Sequence, residues 1–443
     1  MKFLPSADKF FTKAAWFSLI LFLISVPLNA KKFLLPFGRG SDDWQGIFLY
    51  ANDIFLLIFL FSFIFLILDR KKIHWPLFAG FVLAAFLAVS GLSLFSAGEL
   101  PAAFYNFSRL VLAAAGAAAL AFFLKSGLVN LKAIAVVIGG GAVFQAWLGF
   151  YQFTAGKSLG LWCLGEPFAA DKFARGLARF SVDGQVFLRA FGTLPHSNIF
   201  AAFLVLGLLS LGYLWLIRPK NNLIISVFLG VGLLSVTAGL AVSFSRSGWL
   251  AAIVGSAVFI FFSFKNKEFR PEAFSLLVLL LAIISLLLVK WHWLVLPRAG
   301  FSLAEVSVAD RLTYNKIGWE IIRNNPLGVG IGNQAFYAAD QGLYQATGLI
   351  RPTLWQPIHN LYLLIGTEIG WLGLALFLVF LGWLKLKTWR LPANPEKFFV
   401  LAAGTALLFF GLFDHFLWDL QSGILMFWLV VGIMLAGVLE TRL

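Results

Sequence analysis

Cysteine is nearly missing from this chain. The single Cys163 excludes an intramolecular disulfide and leaves no cysteine-based metal site. Charge is scarce too: 12% of residues are Asp, Glu, Lys or Arg, against 60% hydrophobic, and the mean hydropathy is +0.90. A balance so apolar excludes an ordinary soluble domain. The short alternating segments of a β-barrel are absent as well. No Walker motif or His-Glu-x-x-His occurs, and no Asp-x-Asp stands in a long connection, so metal-assisted sugar transfer has no obvious ligands. No internal repeat or low-complexity tract is evident.

What the chain does have is long apolar runs. They lie near 14–30, 45–68, 75–96, 102–124, 132–153, 197–217, 222–243, 248–264, 273–295, 358–384, 398–413 and 420–439. Each is close to the ~20 residues that cross a bilayer, which predicts an all-α polytopic membrane protein of about twelve spans. The whole chain, 1–443, reads as one membrane domain. Its N-terminus reads as a retained first span rather than a signal peptide, because Lys31 and Lys32 follow without a small-residue cleavage pattern.

The formal charge of +14 would suggest nucleic acid in a soluble protein, but topology explains it here. Alternate short connections carry Arg70-Lys71-Lys72, Lys125 with Lys132, Arg218 with Lys220, Lys265-Lys267-Arg270, and Lys385-Lys387-Arg390-Lys397. With Lys2, Lys9 and Lys13 they share one side, which the positive-inside rule makes cytoplasmic. The connection 31–44 is the awkward one, its Lys31, Lys32 and Arg39 partly offset by Asp42 and Asp43. Both long connections, 154–196 and 296–357, then face outside, where no nucleotide is available. Chemistry there needs a substrate activated inside and carried across on a lipid.

The connection 296–357 is not disordered in character. Leu303 to Asn324 has helical periodicity, Asn325-Pro326 ends it, and Gly328–Gly332 forms a tight turn. That turn lacks the setting of a dinucleotide fingerprint, although its N–H groups could face a phosphate. Loops this long are usually functional, and this one reads as a lid or substrate platform.

The run His359 to Gly373 organises the rest. As a straight helix it would set Gly366, Gly370 and Gly373 within roughly 40° of His359, with Glu368 about 180° away. Arg246 in Ser245-Arg246-Ser247-Gly248 is either an interfacial arginine or a phosphate ligand. Arg311 and Arg323 stand roughly 120° apart on one helix, which favours Arg311 as the one presented to a ligand. Arg189 and His196 close the first long connection. There Ser197 and Asn198 read as a helix cap, and His196 as a possible second base. Arg109, Asn52, Asp53 and Glu368 are polar positions in or near spans, where structural pairing competes with function.

Four stretches together resemble the bacterial O-antigen ligase and O-antigen polymerase superfamily. They are Ser245–Gly248; Asp310-Arg311 through Gly318-Trp319 to Asn325-Pro326-Leu327-Gly328-Val329-Gly330; His359-Asn360 with Gly370 and Gly373; and Phe413-Asp414-His415. They run in the family's order over roughly 190–440. The resemblance implies a cofactor-free glycosyltransferase of the inner membrane, moving a glycan from undecaprenyl diphosphate to an acceptor hydroxyl. That acceptor is a glycan, a lipid or a protein. His359 corresponds to the proposed general base, and Arg246 and Arg311 to the residues that hold the diphosphate. Arg189, His196, Asn360, Arg323 and His415 join them as substrate-binding candidates, with no metal and no nucleic acid. The competing reading is a transporter or flippase of a lipid-linked saccharide, which would place polar groups along a midplane path.

Overall fold

The computed structural model describes residues 5–37, 46–67, 73–74, 76–170, 177–300 and 306–441. Arg39, Asp42 and Asp43, with which the sequence balances the 31–44 connection, lie outside them, as do Arg70, Lys71 and Lys72.

The chain begins with α1 (Pro5–Ser25), a ribbon of β1 (Lys31–Pro36) and β2 (Gly46–Tyr50), then α2 (Ala51–Ile67) and β3 (Ile73–His74). Three helices follow: α3 (Leu77–Leu92), α4 (Leu100–Lys125) and α5 (Leu131–Ala155). A hairpin of β4 (Arg179–Val182) and β5 (Gln185–Leu188) leads to α6 (Ser197–Ile217), α7 (Leu223–Ser243), α8 (Arg246–Lys265) and α9 (Arg270–Ala299). The second long connection holds α10 (Val306–Asn324), α11 (Gln334–Asp340) and α12 (Leu343–Ala346). Then come α13 (Leu361–Trp389), α14 (Pro395–Phe410), α15 (Phe416–Asp419), α16 (Gln421–Val438) and β6 (Glu440–Thr441), which pairs with β3.

Among the described residues nine helices are long and apolar enough to cross a membrane. The other three apolar segments form α1, α2 and α14, whose described apolar lengths are shorter. Nine of the twelve expected spans are thus clear candidates among the described residues.

Helix α6 is the central post. Every residue from Ser197 to Leu216 is buried, because the helix is apolar on all sides and α5, α7, α8 and α14 surround it. A Cβ at Gly207 would collide with the Cβ of Ala142, so the glycine sets how closely α5 and α6 cross. The N-terminal end of this post carries His196 and Asn198. Lys125 and Lys397 line a cavity at the opposite end of the bundle.

Helix α13 departs from the straight rod expected of it. Gly370 adopts φ 75° and ψ 177°, a conformation open essentially to glycine alone, and the helix breaks there. In a continuous helix the Thr367 and Glu368 carbonyls would accept from the N–H groups of residues 371 and 372. Instead Val329 N–H donates to Thr367 at 2.9 Å and Gly330 N–H to Glu368 at 2.9 Å. The Trp371 N–H turns to Pro326 at 3.0 Å. The Gly328–Gly332 turn thus serves as a plug for the kink, and its Gly328, Val329 and Gly330 N–H groups are spent on backbone rather than offered to phosphate. Ile331 N–H completes the set by donating to Ser93 Oγ at 3.1 Å. The large connection is thereby fastened to the membrane bundle.

Candidate active site

The α7–α8 corner comes first. Phe244 sits in the left-handed region, φ 48°, so the chain reverses in one residue. Two carbonyls at the end of α7 then turn towards arginines: Ser243 accepts from Arg189 Nε at 2.8 Å, and Phe244 accepts from Arg298 Nε at 3.2 Å. The negative end of a helix favours such cations. Ser245 caps α8 by accepting from the Gly248 N–H, and Arg246 begins that helix with Nη1 donating to the Gly300 carbonyl at 3.1 Å.

Asn198 ties this corner to the end of α14. Its Oδ1 accepts from Arg189 Nη2 at 3.1 Å and from Ser245 Oγ at 2.9 Å, while its Nδ2 donates to Asp414 Oδ2 at 2.7 Å. Asn198 is therefore a junction. The cap expected of Ser197 and Asn198 is supplied by His196, whose Nδ1 accepts the Asn198 N–H at 3.2 Å. That bond occupies the lone pair a base needs. Burial and the neighbouring Arg189 push His196 down to about 4, so it is neutral and poorly placed as a second base.

His359 precedes α13. Its Nδ1 lies 2.9 Å from the Pro357 carbonyl. A carbonyl can only accept, so Nδ1 carries the proton and Nε2 holds the free lone pair. Asn360 caps α13 through the Leu363 N–H at 3.0 Å and donates to the Leu412 carbonyl at 3.1 Å. Its side chain builds the mouth of the helix and lines neither of the cavities described below.

Tyr314, one turn after Arg311 on α10, stacks on His359 with ring centroids 5.3 Å apart. His415 meets the same ring edge-on at 4.8 Å. Burial, then His415, then Arg311 push His359 down to about 3, against the opposing pull of Asp414 and the Pro357 carbonyl. The imidazole is neutral. Burial also disfavours charge on His415, but its bond to the Asp419 carboxylate, Nδ1 to Oδ2 at 2.7 Å, outweighs this and raises it. Asp414 is held well below the usual carboxylate range: burial opposes this, and His415, His359 and Arg311 outweigh it.

Two cavities share His196, Gln356 and His359 as a common wall. The smaller, about 290 Å³, is lined among the described residues by Arg189, Arg246, Arg298 and Arg311 with one carboxylate, Asp310. Burial, followed by Arg298, Arg311 and Arg246, pushes the Arg189 guanidinium down to about 9, which still leaves it charged at neutral pH. Arg298, Arg311 and Arg246 thus bear on the buried Arg189, and an anion beside it relieves that repulsion. The larger cavity, about 830 Å³, reaches from His359 and His415 across Asp419 to Lys31 and Trp162.

Of the sequence candidates, His359, Arg246, Arg311, Arg189, His196 and His415 come together. Arg323 is exposed and lines neither cavity. Arg298, Tyr314, Gln356 and Asp419 were missed. Tyr314 and Asp419 carried local signals, three residues after Arg311 and four after His415.

The polar positions within spans support the site from behind. Arg109 Nε donates to Gln421 Oε1 at 2.7 Å and Nη1 to the Asp419 carbonyl at 3.1 Å. Gln421 in turn donates to Asn52 Oδ1 at 3.0 Å and to Asp53. Glu368 accepts from the Trp418 indole at 2.7 Å. Both sets steady the segment that carries His415. Among the described residues no group of three or more His, Cys, Asp or Glu is placed to hold a metal ion.

The family model described as O-antigen ligase matches residues 231–378, about a third of the chain. The matched stretch contains Arg246, Arg298, Arg311 and His359, and it supports the O-antigen ligase superfamily and a ligase- or polymerase-like function. No curated protein matches the chain. A solved structure described as "Structural coordination of polymerization and crosslinking by a peptidoglycan synthase complex" contains a chain similar at 17% identity. The similarity covers 81% of this chain and 97% of that one, with a TM-score of 0.39. A superposition that loose carries no functional argument.

Proposed function

We propose that this protein transfers a glycan from undecaprenyl diphosphate to an acceptor hydroxyl at the outer face of the cytoplasmic membrane. The observation that carries the reading is the position of His359, a neutral imidazole standing in the wall of a cavity lined by four arginines. Guanidinium forks suit a diphosphate, and a buried cationic pocket stabilises the charge that grows on it as it leaves. In the step, the acceptor oxygen bonds to the anomeric carbon while the bond from that carbon to the diphosphate oxygen breaks. The electron pair departs on the diphosphate, and the hydroxyl proton passes to His359 Nε2. A single displacement of this kind inverts the sugar carbon.

A flippase of lipid-linked saccharide remains the competing reading. The polar groups favour transfer, because they gather at one end of the bundle rather than along a midplane path. Proteoliposomes loaded with extracted undecaprenyl-diphosphate glycan and a glycan acceptor separate the two. Transfer consumes the donor and lengthens the acceptor. Movement of intact donor between leaflets, with no new glycosidic bond, would sink the proposal.

A further inference from the structure

The larger of the two cavities that meet at His359 has a chemistry unlike the smaller. Its described ionisable lining is Lys31 and His415 against Glu166, Asp414 and Asp419, with His196 and His359 neutral. An anion gains nothing there, since the carboxylates repel it and the cations are already matched. Hydroxyl groups, which both donate and accept, suit such a wall.

The far end of the cavity is built to present aromatic rings. Glu166 accepts from Gln152 Nε2 at 2.8 Å and from the N–H groups of Leu159, Gly160 and Leu161 at 2.7, 2.8 and 2.6 Å. These bonds fold the backbone just before Trp162 into a fixed turn. Gly165 packs so closely on the Asn29 backbone that no side chain would fit there. The turn holds Trp162 and Phe168 with ring centroids 6.5 Å apart, and the two remain 65% and 67% exposed. Both line the cavity. An aromatic face carries partial negative charge and attracts the polarised C–H bonds of a sugar ring. The two rings add nothing to the buried core, yet three amides and an amide side chain are spent on positioning them.

We propose that the larger cavity is the acceptor site, and that it takes a neutral saccharide whose ring rests on Trp162 and Phe168 while its hydroxyl reaches His359 Nε2. This assignment rests on the transfer reading above and adds to it where the acceptor lies and what class of molecule it is. The donor's diphosphate lies on the arginine side of His359, the acceptor on the aspartate side. The proton therefore crosses from one cavity to the imidazole in their shared wall.

The test uses the full chain in nanodiscs. Undecaprenyl-diphosphate glycan extracted from the producing cells serves as donor, and the glycan and glycolipid fraction of the same cells, dosed by mass, serves as acceptor. Trp162→Ala with Phe168→Ala should raise the acceptor half-saturation roughly tenfold, the factor that corresponds to 1.4 kcal/mol. Affinity for undecaprenyl diphosphate should not change, which also reports that the double variant is folded. Trp162→Phe should restore most of the acceptor affinity, because a ring is kept. A half-saturation within twofold of wild type, or a parallel loss of carrier affinity, would overturn the assignment. A merely interfacial role for the two rings would alter membrane association and leave acceptor half-saturation unmoved, which overturns it equally. Failure of the wild-type protein to transfer at all would overturn the transfer reading and this assignment together. Normal transfer with unmoved half-saturation would overturn the assignment alone.

Discussion

The ring of Tyr314 stacks on that of His359, centroids 5.3 Å apart and planes 15° from parallel. The Tyr314 hydroxyl is tied to the Leu354 carbonyl at 2.6 Å, so the phenol is itself immobile. His359 is thus clamped between the large connection and the end of α14, and its Nε2 direction is set by three separate segments. Tyr314→Leu should free the imidazole while keeping apolar bulk. We expect kcat to fall about tenfold or more, as misplacement of a catalytic group does, with affinity for the carrier lipid retained. Equal kcat in Tyr314→Leu and wild type would show that the clamp is not needed.

The pH dependence follows from the direction of the His359 shift. A base works in its neutral form, and His359 is pushed down to about 3. Below that value it is protonated and inert; above it, it is available. His359 itself should therefore add no acid limb to the profile of kcat/KM, which reports the free enzyme, between about pH 5 and about pH 8. A histidine with an ordinary value near 6.5 would lose about tenfold per unit below it. A decline of that slope starting near pH 6.5, absent in His359→Gln, would contradict the buried neutral imidazole.

Gly370 tests the plug in the kink. A Cβ there would stand 2.6 Å from the Pro326 carbonyl oxygen and the Leu327 carbonyl carbon, in a conformation that L-residues rarely adopt. Gly370→Ala should destabilise the fold by about 1–3 kcal/mol, the usual scale for such strain. Its unfolding temperature in detergent should drop, and the 325–332 segment should become accessible to protease. Gly382, where an added Cβ meets nothing within 4 Å, is the control on the same helix. Equal stability of Gly370→Ala and Gly382→Ala would refute the argument.

Much of this site could be read from the chain, and the rest was missed for more than one reason. His359, Arg246 and Arg311 sit in short contiguous motifs, so their residue types and spacing stand out locally. Arg298 does not: it lies at the end of α9, and only the tertiary fold turns it back onto the Phe244 carbonyl. Asp419 was missed for a different reason: it follows His415 by one helical turn, a local spacing, but no motif marked the pair. The straight-helix arithmetic through 359–373 failed at Gly370, since periodicity cannot register a single residue leaving the helical region. The β4–β5 hairpin was missed as well, although Asp183-Gly184, with φ 49° and 76°, is the pair that a tight two-residue turn favours.

Topology gives a prediction independent of chemistry. The basic short connections read as cytoplasmic, which sends both long connections outside. Gln341, exposed at the end of α11, is a suitable reporter in a Cys163→Ser background. Gln341→Cys should react with an impermeant maleimide added to intact spheroplasts. Reaction only after the membrane is opened would invert the assignment and place the arginine cavity in the cytoplasm.

The roles of base and anchor should separate in measurement. His359 lines the arginine cavity as a neutral group and contributes little attraction to a diphosphate. His359→Ala should therefore bind undecaprenyl diphosphate as well as wild type while transferring about 10²–10⁴ times more slowly, the usual range for a lost general base. Arg246→Ala and Arg311→Ala remove charge-assisted contacts from a low-dielectric pocket, so carrier affinity should fall as well as rate. Arg298→Ala should behave like them, although no motif marks it, because it lines the same cavity. Lysine at any of the three should restore only part of the affinity, since an ammonium keeps the charge and loses the fork. Arg323→Ala should bind and transfer normally, being exposed and outside both cavities. Carrier binding and transfer are measured side by side on the same set of variants. If His359→Ala loses carrier affinity as severely as the arginine variants, or transfers near the wild-type rate, His359 is not the base. His415, held against Asp419, is then the next group to test.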